Sequence, residues 1–269
     1  MDVESLLSSE KYYEAFMSAI GALNRSLRSN KPTFVTEASQ FVDLFRSFKQ
    51  DAYSLKIAEF VITSCTQKHQ ILSTEDSQQQ FYRILEAINI PAAQKESTTL
   101  VPSLENLKTV LNTSKNPLLP HVSMILAQCH LIEGRLNSVF RELVFGILNS
   151  PNELRELFLA HLIGECIPAI KSSLSSTDYS FYILRLVFFL LKKGFYEEAF
   201  AIQNVAKELG SPDNRVFLFL HTAVQLISCD VDDRSAALSA LKIPFKDVLA
   251  ADGEVKNYYD DVISSVNKH

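Results

Sequence analysis

The 269-residue chain contains no tryptophan and only seven glycines. So few glycines disfavour all-β folds, whose tight turns need positive φ angles, and nucleotide sites built on glycine-rich loops. No stretch matches GxGxxG, GxxxxGK[ST], HExxH or GxSxG, which mark dinucleotide, nucleotide, zinc-protease and hydrolase sites. These absences favour a helical protein, and they predict a chain without catalytic residues or a cofactor.

The chain also lacks an excess of basic residues, with 26 Lys and Arg against 31 Asp and Glu and a net charge of −5. Proteins that bind nucleic acid usually carry a basic patch that meets the phosphate backbone. Nucleic acid is therefore not expected as a direct ligand. The largest basic cluster is Arg25, Arg28 and Lys31, which we interpret as solvated cations at the C-terminal end of a helix.

No apolar run is long enough for a membrane span, which needs about 20 residues. The longest, Tyr179–Leu191, is shorter and contains Arg185. The N-terminal sequence MDVESLL lacks the basic start and apolar core of a signal peptide. Four cysteines stand apart without a CxxC pair, and we expect buried reduced thiols in a cytoplasmic or nuclear protein. They are Cys65, Cys129, Cys166 and Cys229.

Apolar residues recur at three- and four-residue spacing along most of the chain, which is the pattern of amphipathic helices. The first predicted helix carries Tyr13, Phe16, Ile20, Leu23 and Leu27 on the side that we expect to be buried. Alternation typical of strands never persists beyond a few residues. The predicted helices are 10–28, 34–48, 52–68, 77–90, 103–112, 121–132, 136–149, 152–171, 179–192, 196–209, 214–228 and 246–266.

The segment 90–103, IPAAQKESTTLVPS, holds two prolines and no periodicity, which indicates a linker or a long surface loop. We favour a loop inside a single domain that spans 1–269. The alternative is a boundary here, between N-terminal helices at 1–90 and a C-terminal part at 104–269.

A helix hairpin is predicted around Gly194. The apolar run Tyr179–Leu191 is followed by Lys192 and Lys193, which suit the negative end of a helix dipole. Gly194 can adopt the left-handed conformation that ends a helix. A second helix follows at 196–209.

The second helix of this hairpin resembles the second half of a tetratricopeptide repeat. Ala199 and Ala206 occupy the two positions where that family has small residues, so that helices can approach closely. Gln203 replaces the family's aromatic residue, and Pro212 falls one place late.

The stretch 123–151 resembles the same repeat more closely, although the tryptophan that usually opens it is absent. Leu-Ala replaces the family's Leu-Gly, His replaces Tyr, and a glycine turn and a closing proline follow at the expected offsets. These residues are Leu126, Ala127, His130, Gly134, Val139, Leu143 and Pro151.

The resemblance implies an all-α, right-handed α-solenoid of antiparallel helix hairpins, with about 11 to 13 helices for this length. It also implies a protein–protein interaction scaffold, or an adaptor subunit of a larger assembly, that binds a peptide or helix in its groove. The alternatives are a helical regulatory subunit of an enzyme complex and a helical nucleic-acid-binding protein.

The first helix of each such repeat lines the concave groove. On this register Arg185 would meet an acidic residue of a partner, although a structural ion pair is the alternative for an arginine among apolar neighbours. The partner-binding residues that the resemblance implies are Met124, Ile125, Gln128, Leu184, Arg185, Phe188 and Lys192.

A metal site built from Cys129, His130, His161 and Cys166 has suitable ligand types. We do not expect it, because adjacent residues such as Cys129 and His130 point to different faces of a helix.

The C-terminal helix has an apolar side and is expected to cap the solenoid. Its apolar residues are Val248, Val255, Tyr258, Tyr259, Val262 and Val266.

Overall fold

The structure, a computed structural model, describes residues 2–88, 90, 98–209, 214–228 and 233–266. The elements assigned within these ranges are helices, and none is a β-strand, which confirms the all-α prediction. The chain is divided into two compact units, Met1–Asn152 and Glu153–His269, called unit 1 and unit 2 below. Residues 91–97 lie outside the described residues, and a boundary at 90–103 stays a prediction.

Unit 1 is a stack of helices that follow one another in sequence. Many helices pack on the next one, and α2–α4, α3–α5, α4–α6 and α5–α7 also pack on each other, which is the pattern of stacked hairpins. The helices are α1 Val3–Ser8, α2 Tyr12–Arg28, α3 Phe34–Ser47, α4 Asp51–Gln67, a 3₁₀ turn His69–Leu72, α5 Glu75–Glu86, α6 Leu100–Ser114, α7 Leu119–Ile132 and α8 Leu136–Asn149.

Unit 2 is organised around α11, which packs on α10, α12, α13 and α16. Ten of its residues are buried, as expected for a helix that is apolar nearly all round. The helices are α9 Asn152–His161, a π-helical turn Leu162–Cys166, α10 Ile167–Ser173, α11 Ser176–Lys192, α12 Tyr196–Leu209, α13 Arg215–Ser228, α14 Arg234–Leu241, α15 Lys246–Ala251 and α16 Gly253–Val266.

Helix ends follow local chemistry. Gly194 has the predicted left-handed conformation (φ 83°), and so does Gly134 (φ 71°) at the turn between α7 and α8. Asn30 also has a positive φ, 49°, which asparagine tolerates better than most residues. It lies just beyond the end of α2.

Two predicted helices are interrupted. The helix expected at 152–171 contains a π-helical turn just before Pro168, because proline has no N–H to donate and its ring clashes with the carbonyl four residues earlier. The helix expected at 246–266 is divided at Asp252.

Two helices were missed by the sequence analysis, the short α1 at Val3–Ser8 and α14 at Arg234–Leu241. Helix α14 begins after Asp233, whose side chain accepts a hydrogen bond from the Ala236 N–H at 2.8 Å. An Asp cap of this kind is a usual start signal. No helix in the described part of the chain is long and apolar enough to cross a membrane.

Candidate functional site

Arg185 forms an ion pair inside unit 2. Its Nε donates to Oδ2 of Asp252 at 2.6 Å, and its Nη2 lies 2.5 Å from the same oxygen. The arginine side chain is 38% exposed and the aspartate side chain only 5%. Glu254 adds a second carboxylate, 3.6 Å from Arg185 Nε. The guanidinium therefore supplies the counter-charge that a buried carboxylate requires.

Asp252 also caps α16. Its Oδ1 accepts hydrogen bonds from the N–H groups of Glu254 and Val255 at 3.0 and 3.1 Å, which satisfies two of the unpaired donors at a helix start. One side chain thus ends α15, begins α16 and joins both to α11. This geometry explains why the predicted C-terminal helix is divided at this residue.

The contact between α11 and α16 continues beyond this ion pair. Phe188 packs on Tyr259, with ring centroids 5.1 Å apart, and the Tyr259 hydroxyl donates to the carbonyl of Leu238 at 2.8 Å. Lys192 forms an ion pair with Asp261 at 2.5 Å. Helix α16 therefore covers the face of α11 that carries these residues, as the predicted capping role requires.

The seven predicted groove residues lie in different surroundings. Leu184 and Phe188 are fully buried, and Ile125 is nearly so. The other four, Met124, Gln128, Arg185 and Lys192, are partly exposed. Three of the seven belong to unit 1 and four to unit 2, and their role in binding a partner stays a prediction.

The two histidines of the candidate metal site each lie close to a glutamate of the same chain segment. His130 Nδ1 is 3.5 Å from Oε2 of Glu133, and His161 Nδ1 is 3.2 Å from Oε2 of Glu165. Within the described residues, no three His, Cys, Asp or Glu side chains are grouped so that they could hold a metal ion.

The three cysteines that the structure describes are buried thiols. Cys65, Cys129 and Cys166 are buried, and burial raises the pKa of Cys129 to about 12 and that of Cys166 to about 11. Such thiols are protonated at neutral pH and are poor nucleophiles. The expectation of buried thiols is confirmed for these three, and Cys229 lies outside the described residues.

Helix α2 exposes large apolar residues, contrary to the sequence analysis. Tyr13 is 64% exposed and Met17, one turn later, 49% exposed. Of the five residues expected on the buried side, Leu23 is buried and Phe16, Ile20 and Leu27 pack partly buried against the core, so only Tyr13 was placed wrongly. Ala15 and Ala19 complete the buried side, because small residues let neighbouring helices approach closely. Periodicity alone did not distinguish the two sides, since both contain apolar residues.

The sequence matches no family model and no curated protein. The structure is similar to the crystal structure of C. therm. Get4, with a TM-score of 0.61 and 14% sequence identity. The likeness covers 98% of this chain and 85% of that chain. At this identity it shows a shared fold, an α-solenoid of helix hairpins.

Proposed function

We propose that the protein is an adaptor subunit of a multi-protein complex and acts by binding other proteins. The fold, an α-solenoid of helix hairpins, is shared with the Get4 crystal structure, and solenoids of this kind present extended surfaces that bind other proteins. The resemblance of residues 123–151 and 196–209 to tetratricopeptide repeats supports the same role, because such repeats bind peptides and helices along stacked hairpins.

The observation that carries the proposal is the exposed apolar side of α2. Tyr13 and Met17 lie one turn apart on it, and Phe16 and Ile20 beside them are half-buried. Tyr and Met are enriched at protein interfaces, where they bury much apolar area. We therefore assign the principal partner contact to this side of α2, called the Tyr13–Met17 face below.

A second contact is proposed in unit 2, at the partly exposed Arg185 and Lys192 of the predicted groove, where an acidic residue of a partner would approach either side chain. In unit 1, and independently of that contact, an apolar residue of a partner would contact Met124 and a hydrogen-bonding group would contact Gln128. Since Arg185 and Lys192 already pair with Asp252 and Asp261, such a partner would share or replace internal carboxylates. Because a partner at these residues must compete with Asp252 and Asp261, we assign the principal contact to the Tyr13–Met17 face.

Affinity purification of the full chain followed by mass spectrometry tests the proposal. The double variant Tyr13→Ala/Met17→Ala should lose its principal partner and keep the thermal stability of the unaltered protein. The matched control is Leu157→Ala/Leu218→Ala, which removes two similarly exposed apolar side chains from unit 2. Failure of the unaltered chain to retain any protein specifically would reject the adaptor role, and equal retention by both double variants would reject the Tyr13–Met17 face.

A further inference from the structure

A surface cavity of about 560 Å³ lies in unit 1 between the turn that joins α2 to α3 and the segment that joins α4 to α5. This volume is within the range of small-molecule pockets, about 300–1,000 Å³. Leu27 and Ile71, both partly exposed, give the cavity an apolar wall, behind which Phe34 is buried in the core. Lys31 and Lys68 also line it, whereas no aspartate or glutamate does.

The ammonium group of Lys68 is held in place by neutral acceptors. It donates to the carbonyl oxygen of Leu27 at 3.1 Å and to Oδ1 of Asn30 at 3.0 Å. An ammonium has three hydrogens, so one remains for a ligand. Neither acceptor carries a charge, and the positive charge at the cavity is therefore not neutralised by these two contacts.

The carboxylate of Glu37, which contacts the lining residue Ser26, does not pair with either lysine. Glu37 accepts hydrogen bonds from the hydroxyls of Ser26 and Thr33 at 2.5 and 2.9 Å. Among the described residues, no ion pair involves Lys31 or Lys68. Within the described part of the chain, the lining of the cavity therefore carries two lysines without an ion pair and no carboxylate, in a chain of net charge −5.

Neutral hydrogen-bonding groups complete the lining. Asn30, which accepts from Lys68, and Gln70 line the cavity with amide side chains, and Ser73 and Thr74 line it with hydroxyls in the segment before α5. Amides and hydroxyls can donate to the oxygens of an acid group. Charge-assisted bonds from lysine to such oxygens are stronger than bonds between neutral groups.

We propose that this cavity binds a small organic anion, in which a carboxylate or phosphate group is attached to an apolar body. The acid group accepts from Lys31 and Lys68, and the apolar body packs on Leu27 and Ile71. The site is separate from the Tyr13–Met17 face, since Met17 and Leu27 are about 15 Å apart along α2 at 1.5 Å per residue.

Titration of the full chain with phenyl phosphate, benzoate and inorganic phosphate, followed by amide chemical shifts in NMR spectra, tests the inference. Phenyl phosphate or benzoate should bind saturably and shift amides of residues 30–34 and 68–74. The preferred one of the two identifies the acid group. Inorganic phosphate should bind more weakly, because it has no apolar body.

The variant Lys31→Gln/Lys68→Gln should weaken binding about tenfold or more, as expected when two charge-assisted hydrogen bonds are lost. Its matched control is Lys56→Gln/Lys256→Gln, which removes two exposed lysines outside the cavity. Lys31→Gln alone serves if the double variant does not fold, since no internal ion pair holds Lys31.

Three results would each overturn the inference. They are no binding of either aromatic anion at millimolar concentration, equal affinity in the cavity and control variants, and binding of inorganic phosphate as tight as that of phenyl phosphate.

Discussion

At the scale of single residues, Arg185 shows how a cation is accommodated in an apolar helix. Its stem passes along α11 while its guanidinium reaches Asp252, a carboxylate 67 residues later in the chain. The sequence analysis left two roles open for Arg185, a structural ion pair and a partner contact. The structure shows the ion pair, with Asp252. A partner contact on the exposed part of the guanidinium stays a prediction.

Arg185→Glu should lower the free energy of unfolding by about 2–4 kcal/mol. The change removes the counter-charge of a buried carboxylate and adds a like charge, and breaking a fully buried pair costs about 3–5 kcal/mol. The range is lowered because the arginine is partly exposed. Urea unfolding measures the effect, with Lys256→Glu, an exposed charge reversal on α16, as the control. Equal stability of the two variants would show that the ion pair contributes nothing.

His121 is a second residue with a testable role. Its ring lies 4.3 Å from that of Tyr82, measured between centroids, and burial lowers its pKa, partly offset by the Glu86 carboxylate. The same carboxylate bonds the Tyr82 hydroxyl and raises the Tyr82 pKa to about 12. His121 is therefore held neutral in the folded protein more strongly than in the unfolded chain.

The pKa of His121 is lower in the folded than in the unfolded protein. At a pH between these two pKa values, the unfolded state therefore binds more protons than the folded state. The stability that the neutral ring contributes is present above about pH 6.5 and is lost as pH falls through the folded pKa. His121→Gln should flatten the fall in stability between about pH 7 and pH 5. Urea unfolding at several pH values measures it, with exposed His69→Gln as the control. Parallel profiles for the unaltered chain and His121→Gln would contradict this role.

At the scale of elements, close approach within the α11–α12 hairpin depends on a small residue. Ala199 is fully buried, and α11 and α12 pack against each other. Ala199→Leu should overpack this contact and cost about 1–3 kcal/mol. Thermal unfolding checks the prediction, and the same change at exposed Ala240 in α14 should have little effect. An unchanged melting temperature for Ala199→Leu would mean that the hairpin register is wrong.

Helix α16 is an integral part of unit 2. It buries five residues, Val255, Tyr259, Val262, Ile263 and Val266, and packs on α11, α14 and α15. Deletion of residues 246–269 should expose these contacts and cause aggregation, which light scattering and binding of a hydrophobic dye would detect. A truncated chain as soluble and as stable as the whole would instead make this segment a separable arm.

At the scale of the whole molecule, we predict that unit 1 folds without the rest of the chain. Unit 1 has a continuous buried cluster that extends from Val3 in α1 to Cys129 in α7. A fragment of residues 1–152 should therefore fold alone, with a helical far-ultraviolet circular dichroism spectrum and cooperative thermal unfolding. A fragment without cooperative unfolding would show that its core needs the rest of the chain.

The sequence by itself determined the helical class and the bounds of several helices. Residues 136–149 and 196–209 were predicted as helices and are α8 and α12, because apolar periodicity and glycine turns act over a few residues. No pattern of nearby residues indicates that Asp252 pairs with Arg185, which lies 67 residues earlier in the chain. Likewise the exposure of Tyr13 on α2 and the cavity between residues 26–34 and 68–74 depend on which helices become neighbours. Only the tertiary structure decided them, because packing brings together residues whose separation along the chain carries no periodic pattern.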